Sequence, residues 1–289
     1  MYLFFQKLYS IIGVLFSLCF FSACDGQIIS PSEPELVIEG WIENDRNPVV
    51  IVSSTIPLTG DFQYVDDLDN YAIRSAEVTI SNGDKEVVLQ GTENKSYVPS
   101  YIYTTTEMLG EVGKNYKLTV KYKHFHAEAT TSILDIPCVD SLVVTPTETS
   151  DTLFQVRAFL KDTEEKNNYF KLFTMVRPKE TSYFSYVGST IRDKLLHLHT
   201  GISIFPGQKF QDNDYVSGFC LSDTLLVKIA QVNEAGYRYW LDFEDMFVTI
   251  SNPIFSVRFN ACSNIQGGKG IWCGYGVVEK KISFADFKQ

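Results

Sequence analysis

Basic residues are scarce in this chain of 289 residues, where 25 Lys and Arg stand against 35 Asp and Glu. Nucleic-acid binders need clustered positive charge to displace counterions from phosphates, so that class is excluded. The same deficit excludes attachment to anionic lipid by charge alone. Long apolar runs are missing after residue 24, and no later stretch reaches the roughly 20 residues of a membrane-spanning helix. Catalytic signatures are missing too. Neither Gly-x-Ser-x-Gly nor His-Glu-x-x-His occurs, and the serines are scattered. Gln266-Gly267-Gly268-Lys269-Gly270 lacks the spacing of a phosphate loop, and strand-like sequence follows it. Without a helix N-terminus there is no dipole to hold a phosphate. That stretch reads as a glycine-rich turn between strands, and no cofactor is expected. A carboxylate pair for glycoside hydrolysis leaves no such trace, because its geometry is tertiary. There is no internal repeat and no low-complexity tract.

What is present begins at the N-terminus. Lys7 is the only charge in the first 23 residues, and Leu8 to Phe21 is almost wholly apolar. This is a short positive segment followed by an apolar one too short to span a membrane comfortably, the pattern of a signal peptide over residues 1–23. Ser22 and Ala23 supply the small residues that a signal peptidase needs, and Cys24 follows at once. That junction resembles the lipobox of bacterial lipoproteins, with Phe21 in place of the usual Leu. The resemblance implies an acylated Cys24, palmitate among its chains, as the first residue of the mature protein. The alternative is an ordinary secretory signal with an incidental cysteine. With Lys7 removed, 24 basic and 35 acidic residues leave a net charge of −11.

Residues 24–34, with Pro31 and Pro34, read as a short polar tether. From Glu35 the pattern is β. Leu36 to Ile42 and Val49 to Ile56 read as strands around a turn at Asn47-Pro48. Ala76 to Ser81 alternates and ends at Asn82-Gly83, which predicts a type I′ hairpin. Tyr116 to Tyr122 alternates, turns near Lys123-His124 and returns to Ile133. About seven short strands in a hundred residues predict an immunoglobulin-like β-sandwich over residues 35–136. Ile136-Pro137-Cys138 marks a boundary. Residues 137–289 read as a second β-rich domain, sandwich or barrel-like, with one helix from Asn233 to Met246 capped by Asn233. The fold class is mainly β.

Four histidines form two His-x-His pairs, His124 with His126 and His197 with His199. Residues two apart on a strand share a face, so each pair offers two imidazoles to a metal. His124 falls at a turn, however, and His197 and His199 alternate with leucines, so no metal site is expected. Asp66-Asp67-Leu68-Asp69-Asn70 and Asp212-Asn213-Asp214 miss the EF-hand spacing and read as solvated loops. Trp41, Trp240 and Trp272 read as buried. Besides Cys19 and Cys24 the chain has Cys138, Cys220, Cys262 and Cys273. An even number in an exported protein suggests disulfides, in any of three pairings. The glycines between Cys262 and Cys273 allow a fold-back, which predicts that pair, and leaves Cys138 with Cys220 by elimination.

Several stretches in order resemble a family of outer-membrane lipoproteins from Bacteroidota. They are Leu36-Val37-Ile38-Glu39-Gly40-Trp41-Ile42, Pro48 to Val52, Asn168-Tyr169-Phe170, Asn252-Pro253-Ile254-Phe255, Asn264 to Trp272, and Gly274-Tyr275-Gly276. Members carry a single domain of unknown function and are often encoded beside TonB-dependent receptors. The family has no established catalytic residues, so none carries over. The resemblance implies a protein held in the outer membrane by its lipid, on the periplasmic or the surface face. It further implies an accessory or ligand-capturing role with a TonB-dependent receptor as partner. The ligand is not legible. The alternative is a surface hydrolase acting on glycan or peptide.

Overall fold

The computed structural model describes residues 34–55, 65–148, 150–161, 168–192, 201–206, 218–250 and 261–287. Cys24, the segment before it, His197, His199 and the acidic cluster at 212–214 lie outside the described residues.

Alternation builds the first half. In β1 (Leu36–Glu43) the even side chains Leu36, Ile38 and Ile42 are buried, and β2 (Val49–Ser54) adds Val50 and Val52. Then come β3 (Glu77–Ser81), β4 (Glu86–Val88), β5 (Gln90–Glu93), β6 (Tyr101–Thr104), β7 (Asn115–Tyr122) and β8 (Phe125–Ser132). Strands β4, β3, β7 and β8 form one sheet, while β1, β2, β6 and β5 lie side by side in another. Their facing side chains make a shared core of Ile38, Val50, Val52, Val78, Ile80, Leu118, Val120 and Tyr116. The two-sheet packing is that of a β-sandwich. The β3–β4 hairpin forms where Asn82-Gly83 predicts it, but the turn centres one residue later. Gly83 alone takes a positive φ, 90°, and Asn82 Oδ1 accepts the amides of Asp84 and Lys85 at 3.1 and 2.8 Å. A side chain that caps its own turn displaces the glycine to the first central position.

The second half repeats the layering with β9 (Val139–Thr147), β10 (Ser150–Leu160), β11 (Tyr169–Arg177), β12 (Thr190–Arg192), β13 (Ile202–Ile204), β14 (Phe219–Cys220), β15 (Thr224–Val232) and β16 (Lys269–Ser283). Strand β10 pairs with β9, β13 and β14 in a second small sheet. Its Phe154, Val156 and Ala158 pack with Leu172 of β11, Leu225 and Val227 of β15 and Ile282 of β16.

One sheet of eight strands runs through both halves in the order β12-β11-β15-β16-β1-β2-β6-β5. Among the described residues its single parallel strand pair is β1 with β16, in a register that sets Gly40 beside Trp272 and Trp41 beside Cys273. Parity on β16 gives the layers. Even residues Trp272 and Ile282 enter the two sandwich cores, whereas odd residues Ile271, Cys273, Tyr275 and Val277 face the other way. Both small sheets therefore cover one face of the long sheet. The opposite face takes α1 (Glu234–Ile250), through Tyr237 and Tyr239. Asn233 caps this helix as expected, with Oδ1 accepting from the Gly236 amide at 2.9 Å. The link after β8 crosses β16 at Gly274 and Gly276. A Cβ there would stand 2.4 Å from the Ser132 carbonyl oxygen and 2.3 Å from that of Leu134, so only glycine admits the crossing.

Candidate functional site

The face of the long sheet that carries α1 also holds a cleft of about 1070 Å³. Its floor is the odd side of β1, with Glu39, Trp41 and Glu43, together with Ile271 and Tyr275 of β16. Its walls are Trp240 and Phe243 of α1, Phe173 of β11, the segment from Thr181 to Val187, and Tyr97. The rings stand in contact. Trp41 and Tyr97 have centroids 5.7 Å apart, and Trp240 meets Phe173 edge-on at 5.5 Å while donating its indole N–H to the Tyr275 hydroxyl at 2.9 Å. Of the three tryptophans expected to be buried, Trp272 is fully so, and Trp41 and Trp240 are half-buried and line the cleft.

Most charges at the cleft are already paired. Lys228 Nζ lies 2.9 and 2.8 Å from the two oxygens of Glu43 and 4.7 Å from the Tyr183 ring. Arg46 joins Glu43 at 3.3 Å and Glu279 at 2.7 Å. Burial, with Glu279 nearby, pushes the Tyr183 hydroxyl up to about 12. Glu244 of α1 pairs with the fully buried Lys171 of β11 at 2.7 Å. Lys171 also donates to Ser189 Oγ at 2.6 Å and Thr190 Oγ1 at 3.0 Å, and its Nζ lies 4.6 Å from the Trp240 ring centroid. Burial draws Lys171 down to about 8 against the pull of Glu244. Burial works against the Glu244 carboxylate as well, but Lys171, Thr190 and the Gly188 amide outweigh it and hold Glu244 below its ordinary value. The pair is buried and fully bonded, so it pins α1 to the sheet rather than waiting for a ligand.

Glu39 differs. It sits in the middle of β1, opposite Ile51 on β2 and Ile271 on β16. Among the described residues its carboxyl has neither a hydrogen-bond nor an ion-pair partner, and burial raises its pKa above the usual glutamate range. Strained pKa values of this kind gather at functional sites. Sequence reasoning passed over Glu39, although one signal was there. Leu36 to Ile42 is apolar on both faces of the strand except at that one acid.

The residues singled out from sequence are elsewhere. His126 is exposed, 3.6 Å from Glu128, and the His124 ring centroid lies 4.0 Å from that of Phe125, the rings tilted by 35°. Among the described residues no three His, Cys, Asp or Glu side chains form a metal-holding group. Asp69 accepts from the Ser100 amide and hydroxyl at 2.6 and 3.0 Å, which makes it a local clamp. The expected disulfides Cys262–Cys273 and Cys138–Cys220 are not formed, and all four are free thiols. Cys273 is buried under α1, where a Cβ on Gly236 would come within 2.6 Å of its Sγ, while Cys262 is exposed. The fold-back does occur, but Asn264 makes it. Its side chain bonds both the amide and the carbonyl of Trp272, at 2.9 and 2.8 Å.

Two of the stretches that carried the family resemblance pair in the strands that make this floor, whereas Asn252 to Phe255 lies outside the described residues. Glu39, Gly40 and Trp41 lie on β1, Trp272, Gly274, Tyr275 and Gly276 on β16, and Asn264 beside them. Gly40 makes room for Trp272, since a Cβ there would stand 2.9 Å from the indole. No curated protein matches the chain. A family model described as a domain of unknown function, DUF4249, matches residues 27–281. With nearly the whole length covered, the chain belongs to the DUF4249 family.

Proposed function

We propose that this protein is a lipid-anchored, ligand-capturing accessory of the outer membrane that works with a TonB-dependent transporter. The observation that carries the reading is the cleft, walled by aromatic rings and holding one unpartnered carboxyl. Apolar concave surface with few polar groups is what a small-molecule site requires. The described residues lining it include no histidine and no cysteine, so no nucleophile–base pair of the usual kind meets there. The Ala23-Cys24 junction supports the lipid anchor, and confinement to the membrane plane makes even a weak contact with a transporter frequent.

The glycan arm of the hydrolase alternative would need two carboxylates about 5–9.5 Å apart. Glu39 and Glu43 are four residues apart on one strand, roughly 13 Å at the backbone, and Glu43 is engaged by Lys228 and Arg46. Capture is therefore the better fit. The test is a mild-detergent pull-down from native membranes. We expect a TonB-dependent receptor in stoichiometric amounts, and release of the Cys24→Ala variant from the membrane fraction. A protein that purifies alone and cleaves a glycan or peptide library is the hydrolase instead.

A further inference from the structure

Among the described residues, charge pairing in the cleft leaves two acids without a counter-charge: the exposed Asp45, which accepts from the Asn44 side-chain amide at 3.4 Å, and Glu39 on the floor. Lys228 and Arg46 hold Glu43, and Lys171 holds Glu244. Glu39 stands between two isoleucines with no partner among the described residues. Glu39 is half-buried in an apolar cleft; a carboxylate partly withdrawn from water without a partner is costly, and the cost is recovered when a counter-charge arrives. We infer that the cleft takes an organic cation, a protonated amine on an apolar or aromatic body, with the ammonium on Glu39 and the body against Trp41 and Tyr97. The inference rests on the ligand-capture reading and names the class of ligand.

An anion would meet the unbalanced carboxylate and be repelled. A divalent metal needs several oxygen or nitrogen ligands, and no such group exists among the described residues. An ammonium needs one carboxylate and gains from aromatic faces, to which it is drawn by the ring quadrupole. The chain already uses this chemistry on its own lysines, with Lys171 Nζ 4.6 Å from the Trp240 ring centroid and Lys228 Nζ 4.7 Å from that of Tyr183. Spacing sets the size. Glu39 and Trp41 are two apart on one face, about 7 Å along the strand, which suits an amine joined to a ring by a short spacer.

The test compares 2-phenylethylamine with 2-phenylethanol, matched in shape and differing in charge, by calorimetry on the full-length protein in lipid nanodiscs. The amine is expected to bind about ten-fold or more tightly than the alcohol, the scale of one partly desolvated charge contact. Glu39→Gln should erase that preference, while Asp84→Asn, on the distant β3–β4 turn, should keep it. Equal binding of the two probes, a preference that survives Glu39→Gln, or no saturable binding of the amine would each overturn the inference. Alcohol binding that Trp41→Ala abolishes would sink the amine and leave the capture reading intact. Failure of both probes together with an empty pull-down would sink both.

Discussion

An acid at position 39 has isoleucine on both neighbouring strands and aromatic rings above it. In that setting the neutral form is favoured, so the folded state holds its proton to a higher pH than the unfolded chain does. The linkage then has a definite sign. The stability this group contributes is present below the ordinary glutamate pKa and is lost as pH rises through the raised folded value. Glu39→Gln keeps the shape and removes the charge. We expect it to match the wild-type stability near pH 4 and to exceed it near pH 7.5 by about 1–2 kcal/mol, the scale of an uncompensated polar burial. The groups facing it, Tyr239 on α1 and Tyr275 on β16, are both pushed up by burial and stay neutral over this range. Thermal melts of both proteins at the two pH values check it; a gap that does not widen with pH counts against the assignment. Legibility at this scale is uneven. A lone charge in a strand apolar on both faces is visible at Glu39 and again at Lys171 in Tyr169-Phe170-Lys171-Leu172. What is invisible is the difference between them, because the partner of Lys171 is Glu244, 73 residues away.

Helix α1 was legible because its start is chemical. Asn233 caps it, and Glu234 pairs with Arg238 one turn on, at 2.6 Å. Its orientation was not legible, since that depends on contacts to strands far off in sequence. Tyr237 stacks on Tyr169 at 4.6 Å, Trp240 bonds Tyr275, and Gly236 allows the helix to approach Cys273. Cys273 lies buried beneath that approach, while Cys262 is exposed. The ion pair between Lys171 and Glu244 fixes the far half of the helix over the sheet. Removing one partner strands the other in a low-dielectric site, whereas neutralising both does not. Lys171→Met is therefore expected to cost about 3–5 kcal/mol, and Lys171→Met with Glu244→Gln to recover more than half of that. Urea unfolding of the two variants measures it. A double variant no better than the single one would mean that the charge pairing is not what holds α1 down.

Across the molecule, the alternation of single strands and the hairpin turns announced a mainly β protein with one helix, and among the described residues that is its architecture. The eight-stranded sheet could not be foreseen, because its order depends on one parallel pairing between residues near 40 and residues near 272. Local pattern carries no information about a closure of that length. Its consequences are physical and specific. Trp272 belongs by sequence to the second half but fills the core of the first, with its indole N–H donating to the Tyr116 carbonyl at 2.9 Å. Thr131 Oγ1 accepts the Gly274 amide at 2.8 Å, and the Lys228–Glu43 ion pair joins β15 to β1. A chain ending at residue 136 would lose this tryptophan, leave a cavity among Gly40, Val50 and Leu118, and expose the edge of β1. Loss of one such buried aromatic costs about 3–5 kcal/mol, a large part of the 5–15 kcal/mol that holds a typical domain folded. We therefore expect residues 35–136 expressed alone to lack a cooperative unfolding transition. The intact protein should unfold in one step, with far-ultraviolet circular dichroism and tryptophan fluorescence tracing coincident denaturant curves. Two separated transitions in the intact chain, or a sharp one in the fragment, would mean that the first sandwich stands without β16.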